Sequence, residues 1–256
     1  MLPLFDTHCH LDFDDFTADR AAVLERALHA GVEGIMVPGT RAQAALEFPS
    51  TAIEIHRSFG LHPYFMEQHE KSDLQWLEEQ LHRYAHAPVG EIGLDATCAD
   101  FEAQQQFYQE QLALAARYQR SVILHHRKTQ SELLAGIKKI RDQLPDCGGV
   151  IHAFSGSYEQ AKQWIELGFK LGVGGTITYT RAQKTRTAIQ SVELDALVLE
   201  TDAPDMPIAG KQGQRNEPAY VAKVLASLVE LREEDETTIR QRLWQSSCQL
   251  FGSAND

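Results

Sequence analysis

Apolar and polar residues alternate in blocks along the whole chain. Short apolar runs such as SVILH and ALVLET show no internal alternation, which is typical of strands that are buried on both faces. Between such runs, apolar residues recur three and four positions apart, as at Leu74, Leu77 and Leu81, which is the period of an amphipathic helix. The pattern therefore predicts strands and helices in regular alternation.

The apolar runs predict eight strands. They lie at Leu2–Asp6, Gly34–Pro38, Glu54–Leu61, Pro88–Leu94, Ser121–His125, Gly149–Ala153, Lys170–Gly174 and Ala196–Thr201. The amphipathic stretches predict helices at Ala18–Ala30, Arg41–Phe48, Ser72–Tyr84, Phe101–Tyr118, Ser131–Gln143, Tyr158–Leu167, Arg181–Val192, Pro218–Leu231 and Asp235–Phe251. Alternating strands and helices indicate a parallel sheet, and eight such units indicate a closed (β/α)8 TIM barrel of the α/β class. No linker or internal repeat interrupts the pattern, so we expect residues 1–256 to form a single domain.

The composition and the first residues indicate where in the cell the protein is located. The four cysteines are scattered with no CxxC pair, which argues against a zinc ribbon or a disulfide framework and fits a reducing cytosol. The first residues, MLPLFDTHCH, lack the basic and apolar regions of a secretory signal. No apolar run approaches the roughly 20 residues of a membrane span. We therefore expect a cytoplasmic protein that does not bind membranes.

The chain carries a net charge of −12. That charge argues against a surface that coats nucleic acid, which is usually basic. It leaves open an enzyme that meets a phosphate through bound metal, since cations in a site reverse the local sign of the charge. We expect this protein to be a monomer.

Polar side chains occur where most of the predicted strands end. These residues are His8, His10, His62, Glu91, His125, His152 and Asp202. In a barrel, the carboxyl ends of the strands converge on one rim, where active sites lie. The sequence therefore predicts that these scattered groups form a single site.

The residue types in this set indicate a metal centre. His8 and His10 are one residue apart, so in a strand both side chains point the same way and can bind one cation. Imidazole with carboxylate suits zinc, manganese, iron or nickel. The set is larger than one catalytic metal needs, and Glu91 is the natural candidate to bridge two cations. Two metals about 3.5–4 Å apart can clamp the oxygens of a phosphoryl or acyl group during its displacement.

Seven motifs occur in a characteristic order along nearly the whole chain. They are FDTHCHLD, GLHP, GEIGLD, ILHHR, HAFSGS, GGTITY and LETDAP. In this order they resemble the TatD family of metal-dependent deoxyribonucleases, and GVGGTITY followed by ETDAPDMP resembles its YjjV-type subgroup most closely. The resemblance implies a TIM barrel of the amidohydrolase-like group. It also implies hydrolysis of phosphodiester bonds in DNA with two or three divalent ions.

The resemblance further implies a role for each site residue. His8, His10, Glu91 and Asp202 would hold one metal, and Glu91, His125 and His152 would hold the second. His62 resembles the family's histidine that faces the substrate phosphate. His126 departs from the family pattern, which has Ser, Thr or Cys at that position. Asp6, Asp95 and Glu200 are candidates for orienting the ligand imidazoles.

These inferences lead to a hypothesis of metal-assisted hydrolysis. The cations lower the pKa of a water that attacks phosphorus, and Asp202 takes the proton of that water as general base. Glu91, Asp202 and His62 are therefore the predicted catalytic residues. Magnesium or manganese would drive turnover, although such ligands also accept zinc. DNA or another phosphodiester would be bound transiently.

Two alternatives remain open from the residues alone. The same centre could hydrolyse an acyl ester or amide, for example on aminoacyl-tRNA. Glu91 stands where an amidohydrolase with a carbamylated lysine would have that lysine, which disfavours part of this alternative but leaves esters possible. The second alternative is a barrel that binds metal or a partner protein and has no catalytic role.

Overall fold

Strands and helices alternate between Leu4 and Phe251 in the computed structural model of the chain, which describes residues 2–43 and 46–252. The strands are β1 Leu4–Asp6, β2 Val32–Val37, β3 Glu54–Arg57, β4 Val89–Asp95, β5 Val122–Arg127, β6 Gly149–Ile151, β7 Phe169–Val173 and β8 Leu197–Leu199. The helices are α1 Arg20–His29, α2 Ser72–Arg83, α3 Phe101–Arg117, α4 Gln130–Ile140, α5 Tyr158–Glu166, α6 Gln183–Ser191, α7 Val221–Leu231 and α8 Glu236–Phe251.

The strands pair in chain order and close into a barrel. Strands β1 to β3 form one parallel sheet, and β4 to β8 form another. A parallel bridge between Phe59 and Val89 joins the two sheets after β3, and a bridge between Cys9 and Ala203 joins the chain beyond β1 to the chain beyond β8. The amide of Thr7 also donates to the carbonyl of Leu199, at 2.9 Å. The predicted (β/α)8 barrel is confirmed.

Apolar side chains fill the barrel below the site. Phe5, Met36, Ile123, Val150 and Val198 come from five different strands and meet in one buried cluster. Leu250 and Phe251, at the end of α8, pack against this cluster. This end of the barrel is therefore a packed core, and only the opposite rim is left for polar chemistry.

One predicted helix is wrong, because its described residues do not form a helix. The predicted helix Arg41–Phe48 includes residues 44 and 45, which lie outside the described residues, and the described remainder has no regular secondary structure. The guanidinium of Arg57, at the end of β3, donates to the carbonyl of Leu46 and lies 4.7 Å from the centre of the Phe48 ring. These contacts hold the segment against β3, and Pro49 opposes a helix that would continue through it.

The third strand is shorter than the apolar run suggested. It ends at Arg57, and a side chain at Gly60 would have its Cβ 2.6 Å from the backbone carbonyl carbon of Gly90. The close approach of these two backbones brings the chain after β3 against the strand that carries Glu91.

In the described part of the chain, no helix has both the length and the apolar character needed to cross a membrane.

Candidate metal centre

The carboxyl ends of the strands bring the predicted site residues to one rim. His8 and His10 follow β1, His62 follows β3, Glu91 lies in β4, His125 lies in β5, His152 follows β6 and Asp202 follows β8. All seven side chains lie in one cluster, with Glu91 at its centre. The cluster combines residues that are up to 194 positions apart in the chain.

The two carboxylate oxygens of Glu91 face different sets of nitrogens. Oε2 lies 3.0 Å from Nε2 of His8 and 3.4 Å from Nε2 of His10. Oε1 lies 3.1 Å from Nδ1 of His125 and 2.9 Å from Nε2 of His152. The side chain is only 1% exposed, so water cannot substitute for these partners. This arrangement suits a carboxylate that bridges two cations.

The first donor set consists of His8, His10, Glu91 and Asp202. Nε2 of His8 lies 3.3 Å from Nε2 of His10, and Oδ1 of Asp202 lies 3.6 and 3.7 Å from these two nitrogens. Four ligand atoms placed tetrahedrally at about 2.1 Å from one ion would be about 3.4 Å apart. The spacings among His8, His10 and Glu91 are near that value, so these three residues could hold one divalent cation, and Asp202 lies beside the two imidazoles.

The second donor set consists of Glu91, His125 and His152. Nδ1 of His125 lies 3.3 Å from Nε2 of His152, and both face Oε1 of Glu91. Nε2 of His125 lies 3.3 Å from Oδ2 of Asp95, which accepts its proton. Burial lowers the pKa of His125, but the hydrogen bonds to Asp95 and Glu91 outweigh burial and raise that pKa, so a cation at Nδ1 must displace a proton. Asp95 therefore orients His125 as the sequence suggested.

His62 reaches the same carboxylate oxygen but presents a proton. Its Nε2 lies 3.1 Å from Oε1 of Glu91, while its Nδ1 accepts a hydrogen bond from the amide of Tyr64 at 3.0 Å. Burial lowers the pKa of His62 to about 4, so the ring is neutral near pH 7. The single proton must therefore be on Nε2, and a protonated nitrogen cannot bind a metal. His62 is suited to donate a hydrogen bond to an anion, as the family resemblance implies.

The charges in the cluster keep Glu91 ionised. Burial raises the pKa of its carboxyl, but the imidazoles of His62, His152 and His8 outweigh burial and hold that pKa well below its ordinary value. Burial lowers the pKa of His152, yet the charge of Glu91 prevails and raises it to about 10. A cation that binds between these two groups must displace the His152 proton, so affinity for the cation should rise with pH.

Glu200 lies behind His152 as a buried acid. Its Oε1 accepts a hydrogen bond from the amide of Ala153 at 2.6 Å and lies 3.8 Å from Nδ1 of His152. Burial raises the pKa of Glu200 to about 8. Gly172 provides the space for this side chain, since a Cβ there would lie 2.2 Å from Oε2 of Glu200. Glu200 therefore lies near His152, where it was expected to orient a ligand.

Asp6 has a different role from the one that the sequence suggested. Its carboxylate accepts hydrogen bonds from the amide of Thr201 at 2.9 Å and from the Thr201 hydroxyl at 2.6 Å. Its Oδ1 also accepts from the backbone amide of His8 at 3.4 Å, but in the described residues it forms no hydrogen bond with an imidazole ring. Asp6 therefore ties β1 to the chain that leads into Asp202.

Neither His126 nor Arg127 joins the described cluster. His126 is partly buried, and burial lowers its pKa to about 4. Among the described residues, the close ionic partners of Glu91 are all imidazoles.

Sequence reasoning missed the aromatic residues beside the cluster. The ring of Phe13 stacks on that of His10, with centroids 4.6 Å apart and planes at 17°. The ring of Phe65 lies 6.0 Å from that of His62. The spacing in the sequence could have indicated them, because Phe13 comes three residues after His10 and Phe65 comes three residues after His62.

Comparisons with known proteins identify the family of this chain. A family model described as TatD related DNase matches residues 5–252. The chain belongs to the TatD family. A relative from Escherichia coli K12, described as uncharacterized metal-dependent hydrolase YjjV, is 47% identical over 253 residues, which cover 96% of each protein. The crystal structure of YjjV from E. coli matches this TatD-family chain with a TM-score of 0.89 and 44% identity, covering 98% of each chain.

A more distant TatD relative is named for a nuclease activity. The protein from Pectobacterium atrosepticum is named 3′-5′ ssDNA/RNA exonuclease TatD, and it is 31% identical over 266 residues, covering 97% of this chain and 99% of that protein. The predictions of fold and family are confirmed. The predicted enzyme class is confirmed at the level of a metal-dependent hydrolase family.

The contact between Asp95 and His125 gives the first testable prediction for this TatD-family chain. Asp95→Asn should weaken binding of divalent metal by about 10–100-fold, because the ring of His125 loses the carboxylate that fixes its tautomer. Isothermal titration of the metal-stripped protein with manganese or zinc measures this loss. Asp100→Asn is the matched control, since Asp100 is exposed and its left-handed backbone (φ 53°) suits Asn equally well. Equal affinity in the Asp95 variant and the wild type would show that Asp95 does not support the site.

Proposed function

We propose that this TatD-family protein is a divalent-metal-dependent phosphodiesterase, and specifically a deoxyribonuclease with a binuclear metal centre. The observation that carries the proposal is the position of Glu91, whose two oxygens face two separate donor sets. A two-metal clamp is the arrangement that stabilises both the attacking and the leaving oxygen of a displaced phosphoryl group. The name of the Pectobacterium relative supports a nucleic-acid substrate.

The proposed ligands follow from the two donor sets. His8, His10, Glu91 and Asp202 hold one ion, and Glu91, His125 and His152 hold the other. Magnesium or manganese supports turnover, and the imidazole ligands also accept zinc. When bound, these cations lower the pKa of a water molecule and neutralise charge on the phosphate oxygens.

Asp202 acts as the general base in this proposal. Its side chain is 13% exposed, whereas that of Glu91 is 1% exposed, so Asp202 is the carboxylate that a water molecule reaches from the rim. Asp202 takes the proton of the attacking water and holds that water in line with phosphorus.

His62 binds the phosphate. Its Nε2 proton points into the cluster, and the amide of Tyr64 fixes the ring through Nδ1. A phosphate oxygen can replace Oε1 of Glu91 as the acceptor of this hydrogen bond. The orientation and the tautomer of the His62 ring then stay the same. A donor held in place before the reaction stabilises charge that develops on the phosphate.

A nuclease assay with metal removal and restoration tests the proposal. The protein is chelated, dialysed and assayed on single- and double-stranded DNA, with and without added magnesium, manganese or zinc. Cutting should disappear on chelation and return with metal. A Glu91→Gln protein purified in parallel controls for contaminating nuclease. Equal cutting by both proteins would refute the proposal, and metal binding without cutting would favour the acyl-ester alternative.

A further inference from the structure

Three aromatic side chains form one wall of the rim beside the candidate metal centre. We call Phe13, Tyr64 and Phe65 the aromatic rim. Phe13 stacks on His10 at 4.6 Å, Phe65 lies 6.4 Å from Phe13, and Tyr64 lies 5.3 Å from Phe65, each distance measured between ring centroids. The aromatic rim therefore runs from a proposed metal ligand outward to the surface.

Tyr64 is the exposed end of the aromatic rim. The residue is 67% exposed, which is unusual for a large ring beside a buried polar cluster. Its amide is bonded to Nδ1 of His62, so the backbone that carries the ring is fixed to a site residue. The backbone at Tyr64 is thus already ordered before a flat partner stacks on the ring, which removes that part of the cost of binding.

Arg41 adds a positive charge to the same wall. Its guanidinium carbon lies 4.7 Å from the centre of the Phe65 ring, and its Nη1 donates to Oε1 of Gln68 at 3.2 Å. Its Nε is buried and has no hydrogen-bond partner among residues 2–43 and 46–252. Within those residues, Arg41 forms no ion pair with a carboxylate, and its positive charge acts on the pKa of nearby Asp12 in the lowering direction.

We propose that the aromatic rim stacks an unpaired nucleobase of a single-stranded nucleic acid, while Arg41 contacts a neighbouring phosphate of the same strand. This inference rests on the proposed function, because it places the cleaved phosphate at the metal centre. Rings with a cation stacked among them are the usual surface for single strands, since every base has a flat face. Bases inside a duplex are already stacked on each other and cannot reach such a surface unless they are extruded.

The inference predicts a specific pattern of affinities. The Asp202→Asn protein serves as the background, because it should hold metal without cutting the strand. Tyr64→Ala in that background should weaken binding of a fluorescent single-stranded oligonucleotide by about 5–150-fold, the range for loss of one stacked base. Tyr64→Phe keeps the ring and should restore binding to within about twofold of the background. The same oligonucleotide with abasic positions should bind weakly and should not respond to Tyr64→Ala.

Fluorescence anisotropy gives the affinities, and steady-state kinetics in proteins that keep Asp202 give a second readout. Tyr64→Ala should raise KM with a smaller effect on kcat, since stacking binds substrate and transition state alike. Tyr84→Ala is the matched control, because Tyr84 is 40% exposed and lies at the end of α2, away from the rim. If the Tyr64→Ala protein binds the intact and the abasic strand with the same affinities as the background protein, the aromatic rim is not a binding site. An equal loss in Tyr84→Ala would also overturn the inference, and a wild type that neither binds nor cuts any strand would overturn the proposed function with it.

Discussion

Glu91→Gln should lower kcat/KM on DNA by about 10³-fold or more and reduce the metal content of the purified protein. The amide keeps one oxygen but replaces the other with a hydrogen-bond donor and removes the negative charge. Because Glu91 faces both donor sets, neither set keeps its full complement of ligands. Loss of several kcal/mol of electrostatic stabilisation in the transition state corresponds to a rate loss of this size.

The measurement combines initial rates with metal analysis of dialysed protein. The wild type should hold about two ions per chain, as expected for a bridging carboxylate, and the variant should hold fewer than one. Glu102→Gln is the matched control, because Glu102 is exposed in the first turn of α3. A Glu91→Gln protein with two bound ions would contradict the bridging role even if its activity were low.

The strand-exit pattern made much of this site predictable from the sequence. His8 and His10 could be paired because alternation along a strand puts both on one side. Glu91 could be placed with them because the carboxyl ends of barrel strands converge. These inferences need only the order of the strands and the closure of the barrel, and both are encoded in local apolar runs.

The atomic roles within the site depend on contacts that no local pattern encodes. His125 faces Glu91 through Nδ1 because Asp95, on the neighbouring strand, accepts from its Nε2. His62 presents a proton because the amide of Tyr64 occupies its other nitrogen. Each ring could be flipped without any change in the sequence pattern, and only the tertiary partner selects one orientation.

Long-range contacts also explain the inferences that did not hold. Asp6 was expected to orient an imidazole, but its carboxylate accepts from the amide and hydroxyl of Thr201, which is 195 positions away, and from the backbone amide of His8. The segment that includes Leu46 and Phe48 was expected to be helical, but it is held by Arg57 instead. In both cases a single polar side chain finds its partner only after the barrel has formed.

The loop after β8 is positioned by one buried amide. Nδ2 of Asn216 donates to the carbonyl of Thr201 at 2.8 Å and to that of Asp205 at 2.9 Å. The carbonyls on both sides of Asp202 are therefore fixed by the same side chain. The amide of Asp202 donates to the carbonyl of His8 at 2.8 Å, which ties this loop to the first two ligands. Asp202 is thus held rigidly where it can serve as ligand and base together.

Asp202→Asn should lower kcat by about 10²–10⁴-fold while leaving KM and most metal binding in place. The range is that expected for loss of a general base. Asp202 has a positive φ of 58°, and Asn is one of the few residues that adopts this backbone conformation as readily as Asp. The amide oxygen can still face the metal, but it can no longer take a proton from water.

The test pairs single-turnover rates with metal titration, so that chemistry and binding are measured separately. Asp100→Asn is the matched control, because Asp100 is exposed and also has a positive φ, of 53°. Full turnover in Asp202→Asn would assign the base to another group. If turnover falls only as much as metal content falls, Asp202 acts only as a ligand. If Asp202 is the general base, the Asn variant should lose turnover while the neighbouring imidazoles still hold the ion.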